Sequence, residues 1–200
     1  VPVERAAKGV RIIQWEKDQA EEGGLVKIDL LGNRSLGVIR DALAMVEENT
    51  GRRVDYASLN PLDDPETQAL LARGDTMGVF YVESPAMRQL QRKTRRGDFE
   101  HLVIHSSIIR PAANRYIHAY IERLHGAPYE PLHPALKDLL EETYGILVYQ
   151  EHVVLCAMAL AGFQWAEADG LRKVLSKKSR EQIEDYRRRF EEGCRARGVD

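Results

Sequence analysis

The sequence has 200 residues, of which 44% are hydrophobic and 30% charged, with a formal net charge of −2. These values exclude disordered and collagen-like chains and suit one ordinary domain, or one domain joined to a piece of another. No apolar run approaches the roughly 20 residues of a membrane-spanning helix, and the N-terminal VPVERAAKGV lacks a signal peptide's apolar stretch, so a cytoplasmic chain with no membrane partner is expected.

In chain order, VRIIQW is a short β-branched and aromatic run, and GLVKIDLL, opened by Gly23-Gly24, is a second strand candidate. Helical periodicity follows. Leu36, Ile39, Leu43 and Val46 share a stripe that Gly51 closes. Asp63-Asp64-Pro65-Glu66 predicts a helix start, with the end near Gly74, and Ser84-Pro85 repeats the signature. The segment from Phe99 to Ile109 reads as helix and must stop before Pro111. Beyond a Gly/Pro loop from Gly126 to Pro134, helices are predicted over 135–143, 151–160, 166–176 and 180–197. The last carries a capping box at Ser179 and Gln182 and a stripe of Ile183, Tyr186, Phe190 and Cys194. The expected fold is mainly α with a small β portion at the N-terminus. Cys156 and Cys194 have no CxxC spacing and read as thiols within helices, not as a disulfide or a zinc knuckle.

Three groups of residues could carry chemistry. On a strand, Lys27 and Asp29 project to the same side of GLVKIDLL, which fits either a surface ion pair or a divalent-metal ligand with a phosphate-facing lysine. In LRKVLSKK, a helix places Arg172 above Ser176 and Lys173 above Lys177, so two adjacent ridges present donors and positive charge to an anion such as a triphosphate. From there to the C-terminus, Arg172, Lys173, Lys177, Lys178, Arg180, Arg187, Arg188, Arg189, Arg195 and Arg197 outnumber the acids. A polyanion such as DNA would suit that excess, and so would a solvated helix face laced with ion pairs. His101 and His105 stand at i, i+4 without an HExxH glutamate and read as ordinary helical histidines.

Taken together, the strings carry more than their composition. VKIDLLG with Arg34, MGVFYVES, the Arg110-Pro111 pair after a helix, HPALKDLLEETYGILVYQEHVV and LAGFQWAEADGLRKVLSKK resemble, in order, motifs of the bacterial C-family DNA polymerases, the polymerase III alpha subunit type. The resemblance spans nearly the whole chain. It implies that residues 1–35 are the C-terminal piece of a nucleotidyltransferase-like palm and 36–200 the N-terminal and central part of a helical fingers domain. Asp29 would then be the third of three palm aspartates holding two Mg2+ ions, with Lys27 near the active-site phosphates. Arg172 and Lys173 would face the incoming dNTP, with Lys177, Lys178 and Arg110 as further nucleotide-binding positions.

Some positions depart from the family's pattern. Lys173 stands where arginine is more frequent, the RPGP block reads Arg110-Pro111-Ala112-Ala113-Asn114, and Tyr81 replaces a common glutamine. The implied partners are template-primer DNA and, through parts of the polymerase absent from this chain, the sliding clamp and other replisome subunits. Because two of the three aspartates would lie upstream, the chain alone is expected to be inactive. The competing reading is a non-catalytic helical module that binds nucleic acid or protein through its basic C-terminal helices.

Overall fold

In a computed structural model of the chain, residues 1–26, 28, 34–177 and 180–199 are described. They divide into two units, Val1–Leu59 and Asn60–Asp200.

The first unit opens with an antiparallel hairpin. Strands β1 (Val3–Arg5) and β2 (Arg11–Ile13) pair Val3 with Ile13 and Arg5 with Arg11. The VRIIQW expectation thus corresponds to β2, whereas β1 went unpredicted, because three residues closed by a Gly9 turn carry too little periodicity to register. A short helix α1 (Lys17–Glu22) follows, with Glu16 and Gln19 forming a reciprocal cap. Of the second predicted strand, Lys27 and Asp29 lie outside the described residues, while Leu25, Val26 and Ile28 are described without strand pairing. Helix α2 (Ser35–Thr50) ends at Gly51, whose φ of 68° is the left-handed geometry of a helix C-cap. Its predicted stripe is only partly covered: Ile39 and Leu43 are half-buried, whereas Leu36 and Val46 are exposed.

The second unit is helical. Helices α3 (Pro65–Arg73) and α4 (Pro85–Thr94) begin as their sequences require, with proline in the first turn and the Asp64 and Ser84 side chains accepting from Thr67 and Met87 backbone N–H groups. Gly74 joins them at φ 63°, and a methyl there would sit 2.5 Å from the Arg88 carbonyl oxygen, so conformation and space both demand glycine. The MGVFYVES block forms a turn tied by the Thr76 hydroxyl donating to the Val82 carbonyl at 2.6 Å. Helix α5 (Phe99–Ile108) stops three residues before Pro111.

Helix α6 (Asn114–Leu124) was not predicted. Its apolar positions Ile117, Tyr120, Ile121 and Leu124 hold helical spacing, yet it has no side-chain cap to mark its start. The predicted helix over 135–143 is instead two 3-10 segments, Pro134–Leu136 and Asp138–Thr143. One leucine from each segment, Leu136 and Leu140, is buried against Cys156.

Helices α7 (Gln150–Ala161), α8 (Trp165–Lys177) and α9 (Arg180–Ala196) pack on one another. Their core contains Val154, Ala157, Ala161, Phe163, Ala168 and Cys194, with the predicted α9 residues Tyr186 and Phe190 against it. A second core, of Leu90, Ile104, Ile108, Tyr120 and Ile146, joins α4, α5 and α6. Both cysteines are buried free thiols, and burial pushes each thiol above its ordinary range. No helix among the described residues is long and apolar enough to cross a membrane.

Candidate functional site

Helix α8 turns Ala168 and Val174 into the core, which leaves Asp169, Arg172 and Lys173 together on another flank. Asp169 precedes Arg172 by three residues and Lys173 by four, the spacings that bring side chains together on a helix. Arg172 Nε donates to Asp169 Oδ1 at 2.8 Å, and Lys173 Nζ lies 2.7 Å from Asp169 Oδ2. Across the helix pair, Arg172 Nη1 donates to Oε1 of Gln150, the first residue of α7, at 2.8 Å. Hydrogen bonds from Lys173 and then Arg172 hold the Asp169 carboxyl below its ordinary pKa, so it is ionised at neutral pH.

A guanidinium carries five N–H groups, and these bonds use two of them. The Nη2 pair and one Nη1 proton therefore remain for an anion, and among the described residues they have no acceptor. The Arg172 side chain is 27% exposed and that of Lys173 62%, so the arginine is the better shielded from screening water and salt. Ser176, expected among the donors, instead gives its proton to the Arg172 carbonyl at 3.1 Å. The side chain of Lys177 and the whole of Lys178 lie outside what is described, as do Lys27 and Asp29.

Lys173 also borders a cleft of about 660 Å3 between α8 and α9. Glu181 and Asp185 line it, so an anion is better received on the Gln150 side of Arg172.

Arg110 stands elsewhere. It borders a cleft of about 430 Å3 with Gln89, Lys93, Asn114 and His118, and shares no lining residue with the α8–α9 cleft. Its Nη1 donates to the carbonyls of Ile109 at 2.9 Å and Ser106 at 3.4 Å, closing the end of α5 where carbonyls lack helical partners.

The excess of C-terminal arginines is compensated within the helix. Arg187 pairs with Glu184 and Glu191, Arg188 with Asp185 and Glu192, and Arg195 with Glu191. Arg189 reaches Glu167 of α8 and covers the Tyr186 ring, with its guanidinium carbon 4.9 Å from the ring centroid. Of the two polar-face readings left open by composition, the ion-paired one describes α9.

The histidines of α5 have separate settings. Asp98, the N-cap, accepts from both the backbone N–H and Nδ1 of His101, while His105 is fully buried. Among the described residues, no group of three or more His, Cys, Asp or Glu stands close enough to hold a metal ion.

Sequence reasoning passed over Asp169 and Gln150. The first was legible, since an acid three and four residues before two bases is a helical ion-pair signature. The second was not, because its role depends on how α7 lies beside α8.

Comparison with known proteins places these residues in context. The family model described as the bacterial DNA polymerase III alpha subunit finger domain matches residues 35–198. DNA polymerase III subunit alpha of Bacillus subtilis (strain 168) is 37% identical over 195 residues, covering 97% of this chain and 17% of that protein. The subunit of the same name from Staphylococcus aureus (strain COL) is 38% identical over 188 residues, 94% of this chain and 18% of its own length. The chain thus spans less than a fifth of the relatives it matches.

Proposed function

The chain belongs to the finger-domain family of bacterial DNA polymerase III alpha subunits, and from that premise we propose that it forms the dNTP-facing surface of a DNA-directed DNA polymerase. The observation that carries this reading is the Arg172, Lys173 and Asp169 cluster, with unspent guanidinium donors beside the first turn of α7. A triphosphate bears several negative charges and planar pairs of oxygens. Arg172 offers a rigid fork to two such oxygens at once, and Lys173 adds a mobile point charge. Held in place before the nucleotide arrives, the two cations offset phosphate charge and align the chain of phosphates for in-line attack by a primer 3′-oxygen.

Template-primer DNA is the proposed second ligand, and the sliding clamp and other replisome subunits the proposed partners of the whole polymerase in the cytoplasm. Division into a palm piece, 1–35, and fingers, 36–200, is proposed on the same basis. Roles for Lys27 and for Asp29 as a Mg2+ ligand rest on the VKIDLLG resemblance. Among the described residues no group of three or more His, Cys, Asp or Glu could hold a metal ion, so this role has no support beyond that resemblance. Because the resemblance places the other two palm aspartates upstream, the isolated chain is proposed to be inactive in primer extension. Arg110, engaged with α5 carbonyls, is a weaker candidate for the phosphates than Arg172. The pairing of α9 arginines with carboxylates also disfavours a non-catalytic module that binds nucleic acid through that helix.

The test is steady-state kinetics of the full-length polymerase. Arg172→Ala removes charge-assisted bonds worth about 1.5–3 kcal/mol, so the KM for dNTP should rise tenfold or more by that estimate. Lys173→Ala should raise it by no more than about fivefold, because an exposed charge pair contributes less than about 1 kcal/mol. An unchanged KM in Arg172→Ala contradicts the assignment.

A further inference from the structure

A long arginine on a helix surface ordinarily samples many rotamers, and ordering one of them costs free energy whenever a ligand must do it. Arg172 is instead held at two points by two helices. Asp169, one turn earlier on α8, takes Nε at 2.8 Å, and Gln150, at the start of α7, takes Nη1 at 2.8 Å. Fixing those two nitrogens fixes the plane of the whole guanidinium, and with it the direction of the remaining Nη2 donors. The second Asp169 oxygen holds Lys173 Nζ at 2.7 Å, so one carboxylate sets the spacing between both cations.

We propose that Asp169 and Gln150 are positioning residues of the nucleotide site, which hold Arg172 in advance in the orientation that receives the triphosphate. This rests on the assignment of Arg172 to the triphosphate. It also opposes the simplest electrostatic expectation. Asp169 is a negative charge beside two positive ones, and if charge alone mattered, removing it would strengthen the attraction for an anion. Positioning predicts the reverse sign, since a freed arginine must be ordered by the nucleotide itself.

The experiment measures kcat and KM for dNTP in the full-length polymerase carrying Asp169→Ala, Asp169→Asn or Gln150→Ala, with Gln150→Ala also placed in the Arg172→Ala background. Asp169→Ala should raise KM about tenfold, the lower end for a charge-assisted hydrogen bond, and Gln150→Ala about threefold, as for a neutral acceptor. In each, the rise in KM should exceed any fall in kcat. Asparagine retains an acceptor for Nε and should recover part of the loss. Once Arg172 is alanine, Gln150→Ala should add nothing, because its effect passes through that side chain.

Gln150 is exposed at a helix start, so its variant keeps the proposal testable even if Asp169→Ala does not fold. A KM that is unchanged or lowered in Gln150→Ala overturns the proposal. So does an equal effect of Gln150→Ala with and without Arg172. If Arg172→Ala raises KM while Gln150→Ala does not, positioning fails and the triphosphate assignment stands; if Arg172→Ala itself has no effect, both fall.

Discussion

His105 lies wholly inside the second unit, its ring edge-on to Tyr120 with centroids 5.9 Å apart, and neither ring nitrogen has a hydrogen-bond partner among the described residues. Burial, aided by the nearby His101, pushes its pKa down to about 4. The folded chain therefore keeps this ring neutral while the unfolded chain protonates it near pH 6.5, its ordinary value. The contribution to stability is complete above about pH 6.5 and is lost progressively as pH falls toward 4, amounting to about 3 kcal/mol over that window. His152 adds in the same direction: burial lowers its pKa, and its Nδ1 accepts the Val148 backbone N–H at 3.1 Å, which only an unprotonated nitrogen can do. Denaturant unfolding of the chain at pH 7.5 and pH 5 should show about 2 kcal/mol of this loss, and His105→Leu should remove most of the slope. An equal slope in that variant would assign the pH dependence to other groups. Nothing in the spacing of His101 and His105 distinguishes them, since their difference arises from what α6 lays over one and not the other.

Helices α7 and α9 approach so closely that a methyl at Gly193 would stand 2.3 Å from the Ala161 carbonyl oxygen and 3.0 Å from its Cβ. Gly193→Ala should thus destabilise the chain by about 1–2 kcal/mol, overpacking outweighing the roughly 1 kcal/mol by which alanine favours a helix. A rise in the unfolding midpoint would show that the crossing is looser than described. Elements with strong local punctuation were legible beforehand: Asp64-Pro65 and Ser84-Pro85 mark the starts of α3 and α4, and Gly51 and Gly74 the ends of α2 and α3. Those without it were not. Helix α6 begins at Ala113 and Asn114 with no capping side chain, and the 3-10 geometry of 134–143 is set by tertiary burial of Leu136 and Leu140 that no local period encodes.

At the scale of the whole molecule, the ordered sequence blocks proved more informative than charge. They point to the same family that the matched model and relatives support. Charge alone pointed at the whole stretch from Arg172 onward; within it the α9 arginines are paired with their own acids, whereas the cations with donors to spare are on α8. What distinguishes them is the partners: Arg187 and Arg188 each meet two acids of their own helix, whereas Arg172 shares the single acid Asp169 with Lys173 and takes the neutral Gln150 of a neighbouring helix. An incoming nucleotide's phosphates should sit against Arg172 on α8. A crystal structure of the full-length polymerase with primer-template and dNTP tests it most directly. A phosphate oxygen should lie within hydrogen-bond distance of Arg172 Nη2, with Asp169 still on Nε. A triphosphate bound out of reach of both Arg172 and Lys173 would contradict it.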